Sequence, residues 1–139
     1  MSSLSAVLRN DRSEILRMAA LAEQFGAEAH LPDEDVMTVN LVLDEIVANV
    51  IENAYDDAGE HEILVSLTRD GDTLTVRVED DGRAFDPLQV APPDLDLPIE
   101  ERPVGGLGIH LVRSVMDAVD YERRDGRNVL TMRKTIGRT

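Results

Sequence analysis

The sequence predicts an α+β fold, a two-layer sandwich with helices on one face of a mixed β-sheet. Three observations predict it. Residues 63–67 and 74–78 alternate apolar and polar side chains on either side of Asp70-Gly71-Asp72, a tight-turn signal. A second strand pair, 119–123 and 129–135, closes on Asp125-Gly126. Two segments of helical period stand together before the first hairpin. They do not alternate one for one with strands, as a doubly wound parallel sheet would require.

Residues 5–9 form a short strand candidate at the start. Asn10 or Asp11 then offers an N-cap, and Ile15, Leu16, Met18, Ala19, Ala22 and Phe25 recur at helical spacing, with Gly26 near the helix end. Pro32 opens the next helix with Asp33, Glu34 and Asp35 in its first turn, where acids complement the macrodipole. That helix runs from 33 to about 56 without Gly or Pro. Val36, Val39, Val42, Leu43, Ile46, Val47, Val50 and Ala54 make its apolar face. After the first hairpin, residues 86–103 hold five of the six prolines among scattered acids. Such a segment reads as a long loop or lid. Gly105-Gly106-Leu107-Gly108 leads from it into a short helix over 109–117.

Length and charge narrow the function classes. The 139 residues correspond to one domain, 1–139, long enough to bury a core without staples. There is no cysteine, which excludes disulfides and thiolate metal sites and fits a cytoplasmic location. The formal charge of -14 repels nucleic-acid backbones and anionic lipid, so neither is an expected partner. No apolar run approaches the roughly 20 residues of a membrane span. His30, His61 and His110 have no ligand spacing.

Three clusters carry chemistry. Glu45, Asn49 and Asn53 lie at i, i+4 and i+8 on the long helix and share one flank of its apolar arc. An Asn carbonyl there can bind Mg²⁺, and a carboxylate can take a proton from an attacking hydroxyl; a solvated helix edge is the plain alternative. Asp80-Asp81-Gly82 ends a strand, where Asp80 can accept a hydrogen bond from an amino group such as that of adenine and Gly82 admits the base; an ordinary acidic turn is the alternative. Gly105-Gly106-Leu107-Gly108 opens a helix whose free N–H groups favour phosphate, or serves as a hinge. It is neither a Walker loop nor a dinucleotide fingerprint, since the spacing of each is missing.

Taken together, and in this order, the clusters resemble the boxes of the GHKL ATP-binding superfamily, which includes gyrase B, MutL and the histidine kinases. The run from Leu43 through Asn49 to Tyr55, the run from Gly105 to Asp117 and the closing Asn128-Val129-Leu130-Thr131-Met132-Arg133-Lys134 are similar to the anti-sigma kinases RsbW and SpoIIAB. The resemblance covers 5–134. It implies a Bergerat ATP-binding fold and a serine protein kinase that uses ATP and Mg²⁺. It implies a STAS-type anti-anti-sigma protein and a sigma factor as partners, and a homodimer. By position it assigns Glu45 as the base, Asn49 as the metal ligand and Asp80 with Gly82 as the adenine site. Gly105, Gly106, Leu107 and Gly108 take the phosphate side, and Thr131 helps hold adenine. There are departures: Ala84 replaces the second glycine of Asp-x-Gly-x-Gly, Asn53 a common His, and Ala48 a common Thr. A binding module that sequesters its partner and keeps ATP as a structural ligand is the alternative function.

Overall fold

Two hairpins set the register of the sheet. Strands β2 (Glu62–Asp70) and β3 (Thr73–Asp80) meet at a two-residue loop whose first position, Gly71, has φ of 60°, as a II′ turn requires. Strands β4 (Ala118–Arg124) and β5 (Arg127–Thr135) join through Asp125 and Gly126, at φ of 51° and 78°, the paired left-handed conformation of a I′ turn. Strand β1 (Ser2–Arg9) pairs with β2 along its whole length, which carries it three residues earlier than local propensity indicates. The computed structural model describes residues 1–53, 59–84, 86, 88 and 106–137.

The sheet order is β1-β2-β3-β5-β4. The two-layer α+β architecture is as expected, but every neighbouring pair is antiparallel, so the sheet is not mixed. The reason is topological. Strands β3 and β4 run the same way, yet β5 folds back between them and separates them.

Helices α1 (Glu14–Glu28), α2 (Asp33–Asn53) and α3 (Gly106–Val115) supply the second layer. Helix α1 starts after Ser13, whose N–H is held by Asp11 Oδ1 at 3.0 Å, instead of at Asn10 or Asp11. It also runs past Gly26. Its end is a Schellman arrangement with His30 in the left-handed conformation: Leu31 N–H donates to Gly26 O and His30 N–H to Ala27 O. Gly26 serves packing. A Cβ there would stand 2.5 Å from Val36 Cγ2, so the glycine permits a close approach of α1 and α2. The expected end of the long helix, 54–56, and the lid apart from Asp86 and Leu88 lie outside the described residues.

Alternation decides the core. Leu74, Val76 and Val78 of β3 and Leu130 and Met132 of β5 face the helices and are buried. They meet Phe25, Val42, Val47 and Val112. Each such side chain stabilises the fold by about 1.5–3 kcal/mol on burial. The other sheet face carries Ser66, Thr75, Arg77, Thr131 and Arg133 around a surface depression. At the far end of the molecule, Lys134 Nζ reaches across the layers to Asp35 Oδ1 at 2.6 Å and pins the start of α2 to the end of β5.

Candidate functional site

The alternation that buries Leu74, Val76 and Val78 continues to Asp80, which is only 4% exposed. A carboxylate in an apolar series needs partners. Its Oδ1 accepts from the Gly82 N–H and from Asn128 Nδ2, both at 2.9 Å. Among the described residues Oδ2 accepts no hydrogen bond. One carboxylate oxygen is thereby committed, and the other remains an acceptor beside the buried Gly82.

Asn128 is itself fixed. It lies directly opposite Asp80 in the β3–β5 register and is 6% exposed. Its Oδ1 accepts from Tyr121 Oη at 2.5 Å and Arg123 NH1 at 3.2 Å. Its Nδ2 donates a second bond to Arg83 O at 2.8 Å. Arg123 NH1 also donates to Gly82 O at 2.8 Å. Two donors on one side and two acceptors on the other settle the amide's orientation by chemistry.

Helix α2 packs on β3 and α3. Glu45 and Asn49 are half-buried on either side of buried Ile46 and Val47, and exposed Glu52, further along the helix, pairs with Arg12. Asn53 is the last residue of α2. Helix α3 begins inside the glycine run, not after it. Gly106, Leu107 and Gly108 form its first turn, while Gly105 lies outside the described residues. The helix ends two residues early because Asp117 turns to β5, with its N–H on Arg133 O and its Oδ2 accepting from the Thr135 N–H. Ala84 is exposed just past the Asp80 turn.

Thr131 is placed differently from expectation. It pairs with Arg77, one step out of phase with Asp80 and Asn128, and so belongs to the open face of the sheet. A one-residue offset in a strand reverses the side chain, so Thr131 cannot reach the Asp80 side. Asn128 stands beside Asp80 instead. No local signal marks it, nor Tyr121 and Arg123; only the non-local β3–β5–β4 register brings the three together.

The donor set suits an adenine nucleotide with Mg²⁺. Asp80 Oδ2 can take an amino group, and the first-turn N–H groups of the ten-residue α3 can take phosphate. Asn49 offers a carbonyl oxygen of the hard kind Mg²⁺ prefers. Among the described residues there is no cluster of three His, Cys, Asp or Glu that could hold a metal by itself.

Comparison with known proteins supports an ATPase-type domain. The family model described as a histidine kinase-like ATPase domain matches residues 8–134. The serine/threonine-protein kinase BtrW of Bordetella bronchiseptica is 29% identical over 130 residues, 94% of this chain and 87% of BtrW. The serine-protein kinase RsbW of Bacillus cereus is 32% identical over 128 residues, 88% of this chain and 76% of RsbW. The crystal structure of the RsbU and RsbW domains of Rv1364c from Mycobacterium tuberculosis superposes with a TM-score of 0.71 at 16% identity, over all of this chain and 34% of that one. The Acinetobacter baumannii histidine kinase AdeS gives 0.52, also at 16% identity, over 99% of this chain and 70% of that one. Both structures share the fold. With the family model spanning nearly the whole chain and its curated relatives named as kinases, this chain belongs to the histidine kinase-like ATPase domain family, among the serine/threonine-protein kinases of the RsbW kind.

Proposed function

We propose that the chain binds ATP with Mg²⁺ between α2 and the Asp80 end of the sheet and phosphorylates a serine of a STAS-type anti-anti-sigma protein. In the same reading it also sequesters a sigma factor and works in the cytoplasm. The observation that carries the nucleotide assignment is Asp80, a buried carboxylate with one oxygen committed and the other open. An exocyclic amino group of adenine is the neutral donor that such an oxygen selects. The phosphates would lie toward the N–H groups of Gly106, Leu107 and Gly108. Mg²⁺ held through Asn49 would supply charge neutralisation on the triphosphate.

Glu45, one helical turn before Asn49, is the proposed base. It accepts the hydroxyl proton as the serine oxygen bonds to the γ-phosphorus and the bond to the β–γ bridging oxygen breaks, leaving phosphoserine and ADP. Glu45 is half-buried on α2, and this partial shielding from bulk water supports a proton acceptor there. The relatives' names as serine kinases support the acceptor class.

The test is Glu45→Gln with labelled ATP and purified STAS proteins from the same genome. Transfer is expected to fall about 10²–10⁴-fold, the usual share of a general base, while ATP affinity stays within about threefold. Undiminished transfer by the variant removes Glu45 from the mechanism. Tight ATP binding by wild type with no transfer to any STAS partner replaces the kinase with a sequestering module.

A further inference from the structure

The network around Asp80 separates an acid from a cation that would otherwise neutralise it. Asn128 donates to Asp80 Oδ1 through Nδ2 and accepts from Arg123 NH1 through Oδ1. The amide therefore sits between guanidinium and carboxylate. Arg123 is turned onto Gly82 O and Asn128 Oδ1, and among the described residues no cation pairs with Asp80. Tyr121 Oη locks the arrangement at 2.5 Å, since with two donors on its oxygen the amide has no reason to flip. All four side chains occupy core-facing register positions on three neighbouring strands.

We infer that Asn128, held by Tyr121 and Arg123, is the positioning residue that gives the base site its selectivity for a 6-amino purine. It does so in two ways. It fixes the carboxylate plane so that Oδ2 is the oxygen presented, and it keeps the Arg123 guanidinium off that oxygen. An ion-paired Asp80 would have little preference for a neutral amino donor; an unpaired, oriented one does. The inference rests on the nucleotide reading above and assigns its discrimination to residues outside the Asp80-Asp81-Gly82 turn.

The experiment compares dissociation constants of the full chain for ATP and for purine riboside 5′-triphosphate, which lacks only the 6-amino group. A hydrogen bond to a charged acceptor corresponds to a preference of about tenfold to a hundredfold for ATP in the wild type. Asn128→Ala is expected to reduce that preference to about threefold or less, chiefly by weakening ATP. Tyr121→Phe removes one hydroxyl, keeps the ring and should lower it in the same direction. A purely structural role would weaken both nucleotides equally and leave their ratio unchanged. If wild type prefers ATP and both variants keep the full preference, the positioning role is overturned and the nucleotide reading stands. If wild type binds both nucleotides equally, the reading of Asp80 fails and the inference with it. Should Asn128→Ala not fold, Tyr121→Phe alone decides.

Discussion

Replacing Lys134 by Met isolates a buried ion pair between the two layers. Asp35 is fully buried and the Lys134 side chain is 10% exposed. Asp35 Oδ1 accepts from Nζ at 2.6 Å and Oδ2 from the Gly137 N–H at 2.9 Å. Lys134→Met leaves that carboxylate with one backbone donor and the positive end of α2, which together replace only part of a lost ammonium. Removing one partner of a buried pair costs about 3–5 kcal/mol, against 0–1 for a surface pair. Unfolding entropy of about 2.1 cal/mol/K per residue makes this a fall in Tm of about 10–17 °C for a chain of this size. The double variant Asp35→Leu, Lys134→Met removes both charges and should recover most of the loss, because an apolar pair of similar volume needs no desolvation. Urea unfolding followed by far-ultraviolet circular dichroism is the assay, since the chain has no tryptophan. A loss below about 1 kcal/mol for the single variant refutes the reasoning. So does a double variant no more stable than the single one.

Gly26→Ala should destabilise by about 1–2 kcal/mol despite the better helix propensity of alanine, because its methyl meets Val36 Cγ2 at 2.5 Å; adding Val36→Ala should relieve it, read by the same unfolding curves. Thr131→Val should leave ATP affinity within about twofold, since its side chain belongs to the opposite sheet face; a tenfold loss in nucleotide titrations would contradict the register argument. Asn49→Ala should make ATP affinity nearly independent of Mg²⁺, whereas wild type should weaken at least about tenfold when EDTA replaces the metal. Wild-type affinity that ignores EDTA would remove Asn49 as a metal ligand.

The elements were largely legible because their signals are local. Period-two alternation, two Asp-Gly turns and an acidic first turn behind Pro32 each act within a few residues. Boundaries shifted where a tertiary partner overrode propensity. Pairing with β2 drew β1 back to Ser2, and the bonds of Asp117 to β5 ended α3 at Val115. Gly26 does sit near the end of α1, but its missing side chain serves Val36 on another helix, which no local signal shows.

By itself the sequence determined the element order, the acidic and cysteine-free character, and Asp80 as a carboxylate at a strand end. Those follow from spacing along one chain. Only the tertiary structure decided that the sheet is antiparallel throughout, that Thr131 turns away from Asp80, and that Asn128, Tyr121 and Arg123 gather around it. Strand register is a relation between segments distant in sequence, and a single step of register reverses every side chain. The chain can write a carboxylate into a strand, but which neighbours hold it depends on the strands that arrive beside it.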